Sequence, residues 1–563
     1  MKSLLIDLCA IVGRAHLLTG DRATKSYRRG FRSGGGPALA VVRPGTLVEM
    51  WRILQRLVRD DIAIIIQAAN TGLTGGSAPD ERIMRPVVII NVMRLDTIHV
   101  VDRGQHAISL PGATLAGLER KLAAFGREPH SVIGSTCFGA SVVGGICNNS
   151  GGALIRRGPA YTEMALFAQV DDRGALHLVN RLGVDLGEEP ETMLARLEQG
   201  DFAALPTDRP ASATHYEERV RAIDAPGAAR FNADPACLHD ASGSAGRIAI
   251  FAVRTESFER SAETAIFHLA SDDPAVLTNL RRAMLASPQP LPISAEYIHR
   301  DAMDVADRYG RDVYYVIRLL GTGRLPLLFS VKAALDRLGE AFGIIGSADR
   351  TFHWLGRCLP PQLSRRARKW QRRYTHHLLL KVDRADAKST REQVERALSA
   401  APGEVVECTP AEGARLMLHR FVVASAAVRY LALRGTHFAG LVSLDVALPR
   451  NLLDWHGAGE EAPEGAVAAS LVYGHFFCHV FHRDYLIAPG FDPAEVKAAV
   501  LMSLDRAEAR YPAEHNVGRE YRADPVLERF YRKLDPTNRF NPGLGGTATG
   551  SGWADDIISG DGL

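Results

Sequence analysis

The fold of this chain is decided by QAANTGLTGGS at residues 67–77 and GSTCFGASVVGGICNNSGG at residues 134–152. Both stretches are rich in glycine and other small residues. Glycine accepts the positive-φ backbone of a concave turn, so such loops can bring consecutive amide N–H groups against a phosphate ester. The chain has no G-x-G-x-x-G and no G-x-x-x-x-G-K-[ST], which excludes a Rossmann fingerprint and a P-loop. Anion-binding loops of another kind, or plain surface loops, remain open.

The residues before the first loop predict a strand, a helix and a second strand. The apolar run Ala38–Val42 ends before Pro44 and predicts the first strand. Thr46 and Glu49 have the spacing of a capping box and begin the predicted helix. Ile62–Ile66 is a continuous β-branched run, typical of a strand that is covered on both sides. The first glycine-rich loop therefore lies at the carboxyl end of a buried strand.

The residues between and after the loops predict further elements. The predicted strands are Val87–Ile90, Ala107–Leu110, Ala165–Val170 and Ala175–Val179, and the predicted helix is Thr114–Phe125. The last two strands form a hairpin in this interpretation, because Asp171–Gly174 has the composition of a turn.

Longer motifs carry a resemblance to a known family. The strand-helix-strand unit with NTGLTGGS, the second glycine-rich loop and RGPAYTE at 157–163 closely resemble the FAD-binding domain of the vanillyl-alcohol-oxidase type. More narrowly, the chain resembles the respiratory, quinone-linked D-lactate dehydrogenases of bacteria. The motifs that support this are REPHSVIGS (127–135), ICNNSGG (146–152), RGPAYTEM (157–164), FNADP (231–235), YPAEHNVG (511–518) and DPTNRFNPG (535–543).

This resemblance implies an α+β architecture. We expect a two-subdomain vanillyl-alcohol-oxidase-type FAD-binding domain and an α/β cap domain into which a basic membrane-binding segment is inserted. The expected boundaries are 1–256 for the FAD-binding domain, with its FAD loops within 34–205, then 257–298 and 375–511 for the cap, 299–374 for the membrane-binding segment and 512–563 for a C-terminal return to the FAD-binding domain.

Composition is compatible with a globular protein of two or three domains. The chain has 563 residues, of which 46% are hydrophobic and 23% charged. A net charge of +3 is too small to imply a nucleic-acid partner, and we expect none. The seven cysteines include no C-x-x-C pair, which favours reduced thiols and excludes a cysteine zinc cluster. No run approaches eighteen apolar residues, so we expect no membrane-spanning helix.

A basic cluster predicts contact with a membrane surface. Residues 364–373 read SRRARKWQRR, in which six cations surround a tryptophan. Such a cluster is attracted to an anionic leaflet by about 1 kcal/mol per basic residue. A solvated helix that binds nothing has the same pattern, and the resemblance favours the membrane, with the protein peripheral on the cytoplasmic face of the bacterial inner membrane. The expected contacts are Arg365, Arg366, Arg368, Lys369, Trp370, Arg372 and Arg373.

Two arginines are candidates for binding a substrate carboxylate. Arg420 and Arg429 lie in HRFVVASAAVRYLAL, a predicted helix whose small and apolar residues would bury most of its surface. A buried guanidinium requires an anionic partner, and its planar fork matches a carboxylate. For each arginine, that partner is either a substrate acid or a structural Asp or Glu.

A histidine-rich stretch, YGHFFCHVFHRDY at 473–485, is a candidate metal site. His475 and His482 would lie two helical turns apart or on opposite faces of a strand. Related flavin dehydrogenases of D-2-hydroxy acids carry two histidines seven positions apart, then a Glu-His pair some thirty residues later, and bind a divalent metal there. Glu514-His515 stands at the matching place. Between the two histidines this chain has FFCHVF instead of small and acidic residues, which leaves the metal open.

The resemblance implies oxidation of a D-2-hydroxy acid, and the chemistry assigns roles. A hydride leaves C2 for flavin N5 while the hydroxyl proton passes to a base, and histidine suits that task because its pKa lies near neutrality. We expect His515 to be the base. His475, His482 and Glu514 would hold a metal or polarise the hydroxyl oxygen. Arg420 or Arg429 would orient the substrate carboxylate.

The resemblance also implies the FAD contacts. They fall on Ala68, Ala69, Asn70, Thr71, Gly72, Gly76 and Ser77 in the first loop, on Gly134, Ser141 and Gly151 in the second, and on Ile250 beside the isoalloxazine. No residue type argues for a covalent flavin bond, so we expect non-covalent FAD.

Electrons must then leave the flavin. Since the chain has neither a second dinucleotide fingerprint nor a cysteine cluster for iron–sulfur, the expected acceptor is a membrane quinone, with oxygen or another carrier open. The expected function is FAD-dependent oxidation of D-lactate to pyruvate. The alternatives are a soluble FAD-dependent dehydrogenase of another D-2-hydroxy acid and a basic binding protein with a vestigial flavin fold. The sequence does not predict the oligomeric state.

Overall fold

The computed structural model describes residues 1–130, 139–321, 346–399 and 402–553, together with residues 331, 332, 335, 336 and 339. The first part of the chain forms a small sheet with the order β1-β2-β4-β3, in which β2, β4 and β3 are parallel. Its strands are β1 (Leu17–Leu18), β2 (Ala40–Val42), β3 (Ala63–Gln67) and β4 (Val87–Asn91), and its helices are α1 (Lys2–Val12), α2 (Asp21–Arg28) and α3 (Leu47–Arg59). The hydroxyl of Thr46 accepts a hydrogen bond from the amide of Glu49, so the predicted start of α3 is confirmed.

A second sheet follows, with the order β5-β6-β12-β8-β9 and with β7 paired to β12. Its strands are β5 (Ile98–Val101), β6 (His106–Ser109), β7 (Arg127–Pro129), β8 (Ala165–Val170), β9 (Leu176–Asn180) and β12 (Ala249–Glu259), beside the small pair β10 (Val184–Asp185) and β11 (Ala203–Ala204). The helices of this part are α4 (Leu115–Ala123), α5 (Val142–Cys147), α6 (Pro190–Gln199) and α7 (Tyr216–Arg221). The predicted hairpin is confirmed as β8 and β9.

The third sheet is antiparallel and has the order β16-β13-β15-β14-β18-β19-β17. We call this sheet and its helices the cap. Its strands are β13 (Thr264–Ser271), β14 (Ser294–His299), β15 (His376–Asp383), β16 (Glu404–Glu407), β17 (Gly440–Ala447), β18 (Val467–His475) and β19 (Val480–Ile487). The helices of the remaining described chain are α8 (Pro274–Ala286), α9 (Arg300–Tyr309), α10 (Arg311–Leu320), α11 (Ser347–Arg357), α12 (Arg365–Arg373), α13 (Ala387–Leu398), α14 (Pro410–Arg434), α15 (Pro493–Arg506) and α16 (Pro525–Leu534).

The C-terminal part of the chain returns to the first sheet. The amide of Ile64 donates to the carbonyl of Arg539, and the amide of Asn541 donates to the carbonyl of Ile64, both at 2.9 Å. Phe540, between these two partners, is buried in the apolar core under α3. The motif DPTNRFNPG therefore extends the edge of β3, next to the start of the first glycine-rich loop.

One helix in the described part of the chain, Pro410–His437, is long and apolar enough to cross a bilayer by length and composition. This helix contains α14, which packs in the cap against α9. Its buried residues include Arg420 and Arg429, and both are ion-paired within the protein. Part of this helix therefore packs inside the protein, where both arginines are neutralised.

Candidate active site between the glycine-rich loops and the cap

The first glycine-rich loop is shaped by hydrogen bonds at its base. The side chain of Gln67, at the end of β3, donates to the carbonyls of Tyr27 and Ser77, at 2.9 and 2.8 Å. Asn70 adopts a positive φ of 54°, and its side-chain oxygen accepts from the Ser77 hydroxyl. These contacts hold the loop open at the carboxyl end of the strand.

The loop has the free donors that a phosphate requires. The amides of Ala69, Asn70, Thr71 and Gly72 donate to no acceptor among the described residues. A Cβ added to Gly72 would meet nothing within 4 Å, so the backbone there faces open space. Unbonded, accessible amides in a small-residue loop fit the pyrophosphate of FAD. Ala68, Gly76 and Ser77, the other predicted contacts in this loop, are partly exposed beside them.

The second loop lies against the first. A Cβ on Gly139, which has a φ of 85°, would be 4.0 Å from the Cβ of Ala69. Ser141 begins α5, and its hydroxyl accepts from the amide of Gly144. Ile250 of β12 is buried in the apolar core behind α5. Gly134, another predicted FAD contact, lies outside the described residues.

The two predicted histidines come together on a hairpin of the cap. His475 ends β18 and His482 lies on β19, so the expected placement on one helix or one strand is wrong. The tight turn at Phe476–Cys478 returns the chain, and the ring centroids of the two histidines lie 5.5 Å apart. The aromatic residues between them are buried in the cap core, which explains why they replace smaller ones.

Glu514 and His515 join this pair from a loop after α15. Oε2 of Glu514 lies 3.4 Å from Nε2 of His475 and 3.7 Å from Nε2 of His482. Asp445 of β17 positions this loop: its carboxylate accepts from the amide of Glu514 and lies 2.8 Å from Nδ1 of His515. The four predicted residues of the YGH and AEH motifs therefore form one cluster.

The same loop is bonded to both glycine-rich loops. The carbonyl of Asn516 accepts from the hydroxyl of Thr74 in the first loop, at 2.8 Å. Its side-chain amide donates to the side-chain oxygen of Asn148 in the second loop, also at 2.8 Å. A Cβ on Gly151 would lie 2.4 Å from Oε1 of Glu514. The cluster is thus fixed directly beside the two loops that fit FAD.

Buried charges surround Glu514. Its carboxylate is bonded to the guanidinium of Arg230, which also donates to the carbonyl of Gly152. Burial favours the neutral acid, but His475 and Arg230 hold the pKa of Glu514 well below its usual range. Glu296 bonds Nδ1 of His475 at 2.8 Å.

The histidines differ in charge. Burial lowers the pKa of each, but Glu296 and Glu514 raise the pKa of His475 to about 9. The pKa of His482 falls to about 3 because its burial outweighs the attraction of Glu514. Asp445 overcomes burial at His515 and raises its pKa above the usual value. In the cluster, His475 is therefore cationic, His482 is neutral and His515 is bonded to a carboxylate.

The two predicted arginines lie in different places. Nε of Arg420 is 2.9 Å from Glu296, so this guanidinium contacts the cluster through a carboxylate. Arg429 pairs with Asp312 and Asp349, at 2.9 and 2.7 Å, and is not part of the cluster. Nine residues along a helix turn through about 900°, which places the two side chains on opposite sides of α14. Arg429 is therefore removed from the candidate carboxylate site.

The basic cluster forms α12, but its tryptophan is not at the surface. Arg365, Lys369, Arg372 and Arg373 are exposed, and Arg366 and Arg368 are partly exposed. Trp370 is 5% exposed and packs against His268 and Tyr374, so its predicted role as an interfacial aromatic is wrong. Trp354 of α11 is 64% exposed instead.

Sequence reasoning missed three partners of the cluster: Arg230, Glu296 and Asp445. Arg230 precedes the motif FNADP, which was a usable signal. Glu296 and Asp445 lie on strands without such a motif, and only the order of the cap sheet brings them beside the histidines.

Two family models and several curated proteins match this chain. A family model described as FAD binding domain matches residues 38–174, and one described as D-lactate dehydrogenase, membrane binding, matches residues 266–553. The quinone-dependent D-lactate dehydrogenase of Haemophilus influenzae is 46% identical over 562 residues, which cover 99% of this chain and 100% of that protein. The enzyme of the same name from Escherichia coli is 45% identical over 558 residues, 98% of each chain.

The fold has solved counterparts. The structure of p-cresol methylhydroxylase with substrate bound aligns with a TM-score of 0.58 at 12% identity, over 97% of both chains. At this identity the likeness concerns the fold alone. Together with the family model described as FAD binding domain, it confirms the predicted fold class. Because it is 46% and 45% identical to these two bacterial enzymes over almost its full length, the chain belongs to the family of quinone-dependent D-lactate dehydrogenases.

Proposed function

We propose that this protein oxidises D-lactate to pyruvate with non-covalent FAD and passes the electrons to a membrane quinone. The observation that carries the proposal is the position of Glu514 and His515. Their loop is bonded to both glycine-rich loops through Asn516 and to the cap through Asp445. A substrate held there would have the flavin on one side and the histidine cluster on the other.

The first loop would hold the cofactor. Its unbonded amides at residues 69–72 suit the pyrophosphate, and the close approach of Gly139 to Ala69 brings the second loop to the same ligand. FAD, when bound, supplies the acceptor for the hydride that leaves C2. The protein contributes binding, orientation and proton transfer.

His515 would accept the hydroxyl proton. Its Nδ1 is bonded to Asp445, which leaves Nε2 as the atom that can take the proton. The carboxylate raises the pKa of His515 and so stabilises the imidazolium that forms on proton transfer. His475, whose pKa is raised to about 9, would stay protonated and stabilise negative charge on the substrate oxygen.

A divalent metal is the alternative to this proton, since it would take the place of the proton on Nε2 of His475. One ligand atom each from His475, His482 and Glu514 lies within 4.8 Å of the others. Glu296 bonds the far nitrogen of His475, the arrangement that fixes the tautomer of metal-binding histidines. A metal held by these three residues would polarise the hydroxyl oxygen.

Anaerobic titration tests the proposed reaction. Purified holoenzyme is mixed with D-lactate, L-lactate or D-2-hydroxyglutarate while the flavin absorbance is recorded. D-Lactate should bleach the flavin at the lowest concentration, and a quinone analogue should restore the colour. Faster bleaching by D-2-hydroxyglutarate would favour the alternative substrate, and a protein that takes up no FAD would contradict the flavin assignment.

The membrane surface is proposed to include α12. Four exposed cations there, with the exposed Trp354 nearby in sequence, suit an anionic leaflet on the cytoplasmic face. Replacing Arg365, Lys369 and Arg372 by Gln should weaken binding to vesicles containing phosphatidylglycerol by about 100-fold. Binding by a control with Gln at Arg22, Lys25 and Arg120, which are exposed elsewhere, should not change. Equal binding by both triple variants would contradict a role for α12.

A further inference from the structure

A tight turn stands between the first glycine-rich loop and the cap. Arg29 and Gly35 form an isolated antiparallel bridge, and the amide of Gly30 donates to the carbonyl of Gly34 at 3.0 Å. The turn has no room for a side chain at Gly30, because a Cβ there would lie 1.9 Å from the carbonyl oxygen of Ser33. Arg32 is located at the tip of this turn.

The turn is fastened to the loop that would hold FAD. The hydroxyl of Ser33 donates to the carbonyl of Leu73 at 3.2 Å. Gly34 packs so closely on the loop that a Cβ on Gly75 would be 3.0 Å from its Cα. The side chain of Asn70 donates to the carbonyl of Arg29 at 2.7 Å. The position of Arg32 is therefore tied to that of the cofactor loop.

The turn of Arg32 also lies near the cluster, because Gly34 packs on Gly75 and the neighbouring Thr74 bonds the carbonyl of Asn516, the residue after His515. The positive charge of Arg32 acts on His515, Asp484 and Tyr473. Arg32 is exposed, and within the described residues it has no carboxylate partner at ion-pair distance. It is thus a cation near the cluster without an ion-pair partner among the described residues.

The other arginines of the cluster are already occupied. Arg420 is paired with Glu296, and Arg230 is paired with Glu514. Both guanidinium groups are nearly buried, so a substrate anion would have to displace an existing carboxylate to reach them. An incoming carboxylate is instead stabilised by a charge that has no partner before it arrives.

We propose that Arg32 binds the carboxylate of the 2-hydroxy acid substrate. The inference rests on the proposed function and names the group that recognises the acid. The planar fork of Arg32 would bind the carboxylate while the hydroxyl of the substrate faces His515, so that C2 lies between the cofactor loop and the cluster. Arg32 thus takes the carboxylate-binding role that the sequence analysis gave to Arg420 or Arg429. Arg420 remains paired with Glu296.

Rapid mixing tests the proposal on four holoenzymes: wild type, Arg32→Ala, Arg32→Lys and the control Arg22→Ala. Arg22 is an exposed arginine on α2, so its loss changes the net charge equally. The dissociation constant of D-lactate and the limiting rate of flavin reduction are measured separately under anaerobic conditions. FAD content and the flavin spectrum report on the cofactor site.

Arg32→Ala should raise the dissociation constant of D-lactate by about 10- to 100-fold, the loss expected for a hydrogen-bonded charge. Its FAD content should stay at the wild-type level. Arg32→Lys should recover part of the affinity, and Arg22→Ala should behave as wild type. A dissociation constant within twofold of wild type in Arg32→Ala would overturn the proposal, as would loss of FAD with unchanged affinity in the remaining holoenzyme. Failure of the wild type to be reduced by D-lactate would instead overturn the proposed function.

Discussion

Histidines occupy two regions of the cap sheet, and their neighbours differ. On the β18–β19 side, His475 is bonded to Glu296, and His515 on the adjoining loop is bonded to Asp445, both at 2.8 Å. Each carboxylate favours the protonated imidazole and raises its pKa. We call these the site histidines.

On the β13–β15 side, three buried histidines bond neutral partners. Nε2 of His268 lies 3.1 Å from Nδ1 of His377, and Nδ1 of His376 lies 2.8 Å from the hydroxyl of Tyr297. Burial, reinforced by neighbouring histidines, lowers the pKa of His376 to about 3, and burial does the same for His377. We call these the core histidines.

The difference teaches that the hydrogen-bond partner of the ring decides what a buried histidine does. A carboxylate partner keeps the proton available near neutral pH and prepares the ring for proton transfer. A neutral partner keeps the ring uncharged, and it then serves as a packed polar residue of the core. Changes near the site histidines should therefore affect flavin reduction, and changes at the core histidines should affect stability.

Removing the ion-pair partner of Glu514 should have the largest effect on the stability of the protein. In Arg230→Met the carboxylate of Glu514 stays buried without its guanidinium, so the free energy of unfolding should fall by about 3–5 kcal/mol. Flavin reduction by D-lactate should fall as well. The control Arg52→Met breaks an exposed ion pair with Glu191 and should leave the free energy of unfolding nearly unchanged. Equal destabilisation of both variants in urea unfolding would contradict the role of Arg230.

Moving Glu514 without removing a charge should have a smaller effect. The Cβ of Gly151→Ala would press on Oε1 of Glu514, so the carboxylate must shift from its present position beside His475 and Arg230. The rate of flavin reduction should fall by about 10- to 100-fold, as a displacement of about 1 Å can cause. Gly435→Ala is the control, because its Cβ meets nothing within 4 Å and its φ is helical. A wild-type rate in Gly151→Ala, measured by rapid mixing, would show that the position of Glu514 is not critical.

The core histidines should make the protein less stable in acid. Folded His377 stays neutral down to a pKa of about 3, whereas the unfolded chain binds a proton below about pH 6.5. Unfolding then takes up protons, so stability falls as the pH falls below 6.5, by about 1.4 kcal/mol per pH unit for each such histidine. His377→Gln should remove one histidine's share of this slope, and the exposed His437→Gln should leave the slope unchanged. Urea unfolding between pH 7.5 and 5.5 measures both slopes, and equal slopes in the two variants would contradict the assignment.

Local patterns predicted much of the fold and the site. The cap of α3 at Thr46 and the run before the first loop are encoded in neighbouring residues, and both are confirmed. The family resemblance implied that His475, His482 and Glu514 meet, and the structure brings them together.

What the sequence did not predict depends on tertiary packing. Asp445 lies opposite His482 only because β17 pairs with β19.

The many charges around Trp370 led to the prediction that it lies at the surface. It lies on a stripe with Ala367 and Tyr374, at the spacing of a buried helix face. The prediction from charge alone did not take this helical spacing of buried residues into account.

The central claim is that His515, bonded to Asp445, accepts the hydroxyl proton of the substrate, and His515→Ala tests it most directly. Holoenzyme is mixed anaerobically with D-lactate, and the rate of flavin reduction is compared with that of His456→Ala, a partly exposed histidine of the cap. The account predicts a rate about 10²- to 10⁴-fold below wild type in His515→Ala, with FAD content and thermal midpoint unchanged, and a wild-type rate in the control. A near wild-type rate in His515→Ala would contradict it.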